Sequence, residues 1–421
     1  MGLRSFDRVQ VRVLAILTLI NFGNYVDRQI IFSLFPVIRR DFGLSFLQLG
    51  ELATAFTVVL SLATLPLAMV ADRFSRRAVI GAGVLFWSAA TFLSGMAGSF
   101  RSLLVARGMV GIGEAAYTPA GAAIISATFP KQVRARVQGV FDVGMFIGGA
   151  TGIALGGIVA QWLGWRPAFF LVGAPGVVLG LIAFRLPEPA RQESEERVPL
   201  RSLLHIPAYV MIVVSGLFSA FAGYAYIAWG PALVQEYKGF SGREAGIILG
   251  STIVAAGMAG IMTGASLSDR LARTTTWGRA AIIPVGFFIA APLSYFALSA
   301  TSKLQFTILF GLGTFFLSWY HGPTTATIHD LVPERGRATA LGLYYFLINL
   351  LSMALAPMVV GKLADRYTLI IGLRAAVAAQ IIGGIFFLVV VWLIRREALR
   401  QQGEVPVAPP TSETLTQTGS R

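Results

Sequence analysis

The chain has 421 residues, of which 55% are hydrophobic and 13% are charged, with a formal net charge of +14 and no cysteine. An ordinary soluble domain carries about 25% charged residues, so this composition excludes a soluble globular protein and indicates an integral membrane protein. Without cysteine the chain forms no disulfide.

Long apolar segments recur along the chain and predict its secondary structure. A helix needs about 20 apolar residues to cross a bilayer, and twelve segments reach roughly that length. We therefore predict an all-α polytopic membrane protein with twelve transmembrane helices. The predicted helices lie at roughly 12–35, 46–70, 78–98, 102–128, 137–161, 167–187, 207–232, 245–267, 279–300, 304–331, 338–362 and 369–395.

The distribution of Lys and Arg predicts the orientation. Most fall in loops on the side of the two termini, as Arg73, Arg134 and Arg279 do, and fewer fall in the opposite loops. This bias predicts a multi-pass protein of a bacterial-type inner (cytoplasmic) membrane with both termini in the cytoplasm. Because the basic residues flank membrane segments, the net charge indicates the lipid bilayer as a partner and excludes nucleic acid.

A polar, proline-containing segment in the middle of the chain separates two groups of six predicted helices. An Asp-Arg pair follows the second helix of each group: Asp72-Arg73 in A-M-V-A-D-R and Asp269-Arg270 in A-S-L-S-D-R. Such a repeat indicates two copies of one structural unit. The predicted domains are an N-terminal six-helix bundle at 1–187, a cytoplasmic linker at 188–204, a C-terminal six-helix bundle at 205–396 and a disordered cytoplasmic tail at 397–421.

The first and fourth predicted transmembrane helices carry four charged residues away from their ends: Asp27 and Arg28 in the first, Arg107 and Glu114 in the fourth. Each costs about 2.5–3.5 kcal/mol to insert, so such groups are kept where they pair, face a cavity or carry a coupling ion. At the 1.5 Å rise of a helix, Asp27 and Arg28 lie between Arg107 and Glu114 in depth. We predict the pairs Asp27–Arg107 and Arg28–Glu114 in the outer half of the membrane.

This cluster has a structural and a functional interpretation. Replacing a buried ion pair by apolar residues often stabilises a protein, so four buried charges favour a function over packing alone. Burial disfavours the charged form of Glu114 whereas Arg28 favours it, so this carboxylate is suited to take up and release a proton. Whether Asp27 or Glu114 carries that proton is open at this point.

The two halves and their repeated loop resemble the major facilitator superfamily, whose loop pattern is G-x-x-x-D-R-x-G-R-[RK]. The pattern here runs from Ala68 to Arg77, with Ala68 and Ser75 at the glycine positions. The resemblance implies the major facilitator fold, two six-helix bundles around a central cavity, and alternating access by rocking of the halves. It also implies that the loop joins the halves on the inner side, with Asp72 at the N-terminus of helix 11. An ordinary basic loop is the alternative.

The predicted inner gate includes one further acid. Asp142 lies near the inner start of helix 5, too shallow for proton coupling, and we expect a loop arginine such as Arg73 to pair with it. The residues assigned to this gate are Asp72, Arg73, Arg76, Arg77, Asp142, Asp269 and Arg270.

Two motifs are similar to the spinster branch of this superfamily, whose members move lysophospholipids and sphingoid lipids. They are N-Y-x-D-R, from Asn24 to Arg28, and R-x-x-x-G-[IV]-G-E-A-x-Y-x-P, from Arg107 to Pro119. By this resemblance Asp27 and Glu114 are the protonatable pair, and Arg28 and Arg107 are their charge partners. The organic anion:cation symporter branch shares the D-R of helix 1 and an E-A in helix 4.

Helices 1, 4, 7 and 10 line the cavity in this superfamily, and here they carry many aromatic residues. An amphiphile fits such a cavity, with its polar head near the charges of the first half. Packing or an interfacial belt is the alternative for the aromatics, and His321 is either a second proton site or a hydrogen-bonded packing residue. The candidate cavity residues are Asn24, Tyr25, Tyr117, Tyr224, Tyr226, Trp229, Trp319, Tyr320, His321 and Asn349.

These features predict a monomeric proton-coupled secondary transporter of a lysophospholipid or sphingoid-type amphiphile, and not an enzyme. Proton-coupled symport of a small organic anion is the alternative, with Arg28 or Arg107 holding a carboxylate. A channel would require a continuous polar pore and a sensor would require a large soluble domain, and neither is visible in the sequence. No phosphate-binding loop of the G-x-x-x-x-G-K-[ST] type is present, so ATP does not drive transport. Protons replace any cofactor, and we expect no metal.

Overall fold

The computed structural model describes residues 6–188 and 199–403, without the side chains of Asp72, Lys131, Ala135 and 401–403. The central part of the predicted linker and residues 404–421 of the predicted tail therefore lie outside the described residues.

Within the described residues the fold consists of twelve long helices, and most of them begin at a serine or proline in the sequence. Ser45, Ser99 and Ser241 each accept a hydrogen bond from the backbone of the first turn, in a capping box. The helices are α1 (Arg8–Phe42), α2 (Phe46–Arg73), α3 (Arg76–Gly95), α4 (Phe100–Thr128), α5 (Lys131–Leu163), α6 (Arg166–Ala183), α7 (Pro207–Tyr237), α8 (Gly242–Ala272), α9 (Gly278–Ser299), α10 (Lys303–Leu317 and His321–Leu331), α11 (Arg337–Ile348 and Leu355–Arg366) and α12 (Leu369–Gly403). A short helix, Leu200–Leu204, precedes α7.

Two helices predicted as continuous are interrupted. A 3₁₀ turn at Ser318–Tyr320 divides α10, because Pro323 has no N–H to donate to the Trp319 carbonyl and its ring displaces that group. A π-helical segment at Asn349–Met353 divides α11, where the Ala354 N–H donates to the Asn349 carbonyl at 3.0 Å. Such segments insert a residue into the helix and redirect the side chains around it.

Ten of these helices are long and apolar enough to cross a membrane by length and hydropathy, over the described part of the chain. The other two are α4, which contains Arg107 and Glu114, and the divided α10. The last helix continues to Gly403, past the predicted start of the tail at 397. Its final residues are mostly good helix formers, so the helix extends beyond its apolar part.

The packing separates the helices into two bundles that meet at one end. In the first, α1 packs on α5, and α3 on α4 and α6; in the second, α12 packs on α7 and α9. We call the end of the molecule where α1 begins the proximal face and the end where it finishes, at Phe42, the distal face. The bundles meet through α5 with α8 and through α2 with α11.

The bundles are in close contact in the distal half. A Cβ atom added to Gly50 of α2 would lie 2.5 Å from the Pro357 carbonyl oxygen of α11, so only glycine allows this approach. Trp229 of α7 is fully buried between Phe35 and Phe46 of the first bundle. The proximal part of α11 (Arg337–Ile348) packs instead on α7 and on the second part of α10 (His321–Leu331). The distal face is therefore closed in this structure.

Candidate functional site

Asp27 and Arg107 form a buried ion pair between α1 and α4. Each is only 1% exposed, and Arg107 Nη1 donates to Asp27 Oδ1 at 2.9 Å. The Thr91 hydroxyl of α3 donates to the other carboxylate oxygen. Both oxygens of Asp27 thus have partners, and the carboxylate ties three helices of the first bundle together.

Arg28 and Glu114 form the second pair. Arg28 Nε donates to Glu114 Oε2 at 2.6 Å, and the arginine is 19% exposed whereas the glutamate is fully buried. The guanidinium also lies over the rings of Tyr25 and Phe56, at 5.0 and 5.5 Å. The structure thus contains both pairs that helix depth predicts; their role in proton coupling stays a prediction.

The two acids differ in their remaining hydrogen-bonding capacity. Glu114 Oε1 is buried and has no hydrogen-bond partner among the described residues. Since Asp27 uses both oxygens, Glu114 is the acid with a free oxygen on which to place a proton.

Local sequence places these groups. Consecutive residues of a helix point about 100° apart, so Asp27 turns into the first bundle while Arg28 turns toward its edge. The glycines of α4 let that helix approach its neighbours. A Cβ on Gly111 would lie 2.7 Å from the Phe56 carbonyl oxygen, and a Cβ on Gly113 would lie 2.6 Å from the backbone nitrogen of Trp87. The glycine spacing therefore brings Glu114 close to α2 and α3.

Tyr224 of α7 is the predicted cavity residue that reaches the charge cluster from the second bundle. Its ring meets the edge of Phe32 at a centroid distance of 5.9 Å. Its hydroxyl lies beside Thr57 and within electrostatic range of Arg28 and Glu114. The interface between the bundles thus brings an aromatic hydroxyl near Arg28.

Four other predicted cavity residues are packing residues. The Tyr117 hydroxyl donates to the Leu17 carbonyl at 2.9 Å within the first bundle. Trp229 Nε1 donates to the Pro357 carbonyl at 3.1 Å in the distal contact. Tyr226 and Trp319 are buried inside the second bundle, against aromatic rings of α10. Their apolar rings fill helix contacts in this structure, so contact of these four residues with a substrate stays a prediction.

The remaining cavity candidates lie at or near the irregular segments of the second bundle or beside the charge cluster. His321 is exposed, and its ring lies 4.1 Å from that of Tyr320 at the turn in α10. Asn349 starts the π-helical segment and donates to the Tyr345 carbonyl. Asn24 is buried, and its side-chain nitrogen has no partner within the described ranges. These three side chains, with Tyr25, Tyr224 and Tyr320, remain candidates for contact with a substrate.

Six of the seven residues of the predicted inner gate lie at the proximal ends of their helices, but Asp142 does not: α5 already begins at Lys131, so Asp142 lies about three turns into the helix rather than near its start. Asp142 accepts from Gln138 at 2.9 Å on its own helix, and Asp269 lies 3.7 Å from Arg279 at the start of α9. The side chain of Asp72 lies outside the described residues, so its predicted position at α11 stays a prediction. Arg73, Arg76, Arg77 and Arg270 all lie at the proximal ends of α2, α3 and α8.

Sequence reasoning missed Glu188, which follows α6. Its carboxylate accepts from the Ser75 hydroxyl and from the Arg76 and Arg77 amides, at 2.9 and 3.3 Å for the amides. It therefore caps α3 directly after the Asp72-Arg73 loop. The P-E-P that ends the first half was the only signal for it.

Comparison with known proteins agrees with this architecture. The sequence profile of the Major Facilitator Superfamily matches residues 17–357. The chain is 29% identical over 402 residues to an MFS-type efflux pump of Mycolicibacterium smegmatis, covering 92% of this chain and 94% of that protein. It is 26% identical over 455 residues to protein spinster homolog 1 of Xenopus tropicalis, covering 97% and 86%. A probable L-galactonate transporter of Escherichia coli is 25% identical over 381 residues, covering 85% and 84%.

The fold is also that of a solved spinster relative. A crystal structure of a bacterial homolog to the human lysosomal transporter Spinster, inward-facing and unoccupied, superposes with a TM-score of 0.84 at 25% identity, covering 93% of this chain and 99% of that one. The predicted twelve-helix fold and the resemblance to spinsters are confirmed. The chain belongs to the Major Facilitator Superfamily, whose members are transporters rather than enzymes.

Proposed function

We propose that the protein is a proton-coupled secondary transporter that moves a lysophospholipid or sphingoid-type amphiphile by alternating access. The Arg28–Glu114 pair carries this proposal, because a fully buried acid is joined there to a base that is 19% exposed. We further propose a monomer in a bacterial-type inner membrane; the positive-inside bias of its loops supports the orientation with both termini in the cytoplasm.

Protonation of Glu114 would change what Arg28 can bind. While Glu114 is ionised, its Oε2 accepts from Arg28 Nε and its charge balances that of the guanidinium. A proton on the carboxylate removes the opposing charge, and Arg28 then has donors available for an anionic group of the substrate. Substrate and proton are linked in this scheme because both act on one ion pair.

Apolar groups around Arg28 support an amphiphile. Phe56 and Tyr25 lie under its guanidinium, and Phe32 and Tyr224 meet across the bundle interface next to it. A charged head group bound to Arg28 would lie next to these aromatic rings, and the hydrocarbon chain of the substrate would cover them. The likeness to spinster proteins supports the same class of substrate.

Symport of a small organic anion is the second candidate. A guanidinium recognises a carboxylate through two parallel hydrogen bonds, and Arg28 is the more exposed arginine of the cluster. The likeness to a probable L-galactonate transporter favours this alternative.

Binding to the purified protein separates the two. The full chain is reconstituted in nanodiscs and titrated at pH 5.5 and 7.5 with single-chain lysophospholipids, with a phosphorylated sphingoid base and with a panel of hexonates and hexuronates. Saturable, pH-dependent binding of a lysophospholipid or of the phosphorylated sphingoid base that is lost in Arg28→Ala supports the first proposal. Saturable binding of the carboxylates alone would contradict it and support the second.

A further inference from the structure

A carboxylate of the second bundle caps a helix of the first bundle at the distal face. Asp365, at the end of α11, accepts from the backbone N–H groups of Phe46 and Leu47 at 2.7 and 2.8 Å. These are the first two residues of α2, whose N–H groups have no partner within their own helix. The negative charge also complements the positive end of the helix dipole. We call this contact, Asp365 with Phe46 and Leu47, the distal clamp.

The second contact between the bundles has an equivalent cap with a neutral group. Gln161, near the end of α5, accepts from the backbone N–H of Arg243 at the start of α8 at 3.0 Å. In the internal repeat α5 corresponds to α11 and α2 to α8, so the two caps occupy equivalent positions. At the distal face a carboxylate therefore caps α2 at one contact between the bundles, whereas a side-chain amide caps α8 at the other.

The sequence around Asp365 repeats the loop motif of the proximal face. G-K-L-A-D-R ends at Arg366 in α11, and A-M-V-A-D-R ends at Arg73 in α2. Both place a small residue four positions before the aspartate, at the end of a helix. A Cβ on Gly361 would lie 2.5 Å from the Phe46 carbonyl oxygen, so this glycine allows the approach that brings Asp365 to the first turn of α2.

We propose that Asp365 is a gating residue of the transport cycle, which holds the distal face closed and is released when that face opens. It is the distal counterpart of the latch that we predict for Asp72 at the N-terminus of α11. One helix pair, α2 with α11, then carries an aspartate gate at each face, and each gate uses the aspartate of one helix on the N-terminus of the other. The inference rests on the alternating access of the proposed function.

The chain offers a matched control for the loss of this charge. Asp41 is a distal carboxylate whose partners, Trp165 and Arg166, both belong to its own bundle, at 2.9 and 2.8 Å. Asp41→Asn removes a paired distal charge without touching the contact between bundles. The equivalent cap provides the opposite change, because Gln161→Glu places a carboxylate on the N-terminus of α8.

Spin-label distances test the proposal directly, since the chain has no cysteine to remove. Arg101→Cys and Thr301→Cys report the distal opening in one sample, and Gln132→Cys and Thr274→Cys report the proximal opening in another. We expect Asp365→Asn to raise the ratio of distal-open to distal-closed molecules roughly fivefold, the size of one charged cap. Gln161→Glu should lower it, and Asp41→Asn should leave it unchanged.

An equal ratio of distal-open to distal-closed molecules in the labelled protein with and without Asp365→Asn would overturn the proposal. An equal shift of this ratio in Asp41→Asn would also overturn it. A change confined to one pair of labels would also overturn it, because a gate must move the two faces in opposite senses. The measurement needs no substrate, so its failure is distinguishable from failure of the proposed function. If no variant or pH populates a distal-open state, alternating access itself is contradicted.

Discussion

Glu114 and Arg28 form an ion pair in which the acid is fully buried and the base is one-fifth exposed, with 2.6 Å between Oε2 and Nε. The base therefore faces both the interior of the first bundle and its edge. A change of charge at the buried acid reaches the exposed base through a single hydrogen bond. This asymmetry distinguishes the pair from Asp27–Arg107, in which both partners are 1% exposed.

The Asp27–Arg107 pair is expected to stabilise the first bundle. Arg107→Gln should lower the free energy of unfolding by about 3–5 kcal/mol, because it leaves the Asp27 charge buried without a counter-ion. Adding Asp27→Asn to that variant should restore much of the loss. Denaturation of Arg107→Gln, Asp27→Asn and the double variant in detergent checks this through a double-mutant cycle. Additive losses would show that the two side chains stabilise the fold independently.

Arg28→Lys should weaken substrate binding while the protein stays folded. Lysine keeps the positive charge next to Glu114 but lacks the planar fork of donors, so we expect the Kd of the substrate to rise about tenfold, or ~1.4 kcal/mol. Arg166→Lys is the control, since Arg166 pairs with Asp41 at the distal face. Isothermal titration in nanodiscs gives both values. An unchanged Kd in Arg28→Lys would remove Arg28 from the binding site.

Gly361→Ala should favour the distal-open state. Its Cβ would lie 2.5 Å from the Phe46 carbonyl oxygen, whereas a Cβ on Gly98 meets nothing within 4 Å. The distance between labels at Arg101→Cys and Thr301→Cys should therefore lengthen in Gly361→Ala and stay constant in Gly98→Ala. If Gly361→Ala left the distances unchanged, the close approach of α2 and α11 would not limit opening.

The cap on α3 should depend on pH. Partial burial acts to raise the pKa of Glu188, but hydrogen bonds from Ser75 and from the Arg76 and Arg77 amides outweigh it and lower that pKa below its ordinary value. A lowered pKa means that the cap contributes in full above the ordinary value, about 4.3, and is lost as the pH falls through the value in the folded protein.

Amide hydrogen exchange measures this directly. The Arg76 and Arg77 amides should be protected at pH 6 and lose protection as the pH falls through the lowered pKa of Glu188, after correction for the intrinsic rate. Glu188→Gln should show weaker protection that does not change over this range. Equal protection profiles in the two proteins would contradict the role of the carboxylate.

The sequence predicted the fold and the ion pairs because both follow from regular geometry. Apolar segments of bilayer length determine the helices, and a fixed helix rise places Asp27 beside Arg107 and Arg28 beside Glu114. The interruptions of α10 and α11 were missed because a long apolar segment has the same composition whether its hydrogen bonds are α, 3₁₀ or π. Pro323 was the available signal for the first of them.

The positions of aromatic residues were less predictable. Trp229 and Trp319 lie on helices that have one face against a neighbouring helix of their own bundle and another face at the bundle interface. Hydropathy does not show which of these faces a large apolar side chain occupies. Their burial depends on which helices approach closely, which in turn depends on glycines of other helices such as Gly50 and Gly264. Asp365 was missed although its G-K-L-A-D-R motif repeats the predicted gate motif.

Transport by Glu114→Gln tests the central claim most directly, that Glu114 carries the coupled proton. Proteoliposomes are loaded with the substrate identified by binding, and two rates are measured: accumulation driven by a pH gradient, and exchange at equal pH without a gradient. We predict that Glu114→Gln abolishes gradient-driven accumulation but retains exchange that is independent of pH, because an amide mimics the protonated acid. Accumulation by Glu114→Gln that still follows the pH gradient would contradict the account.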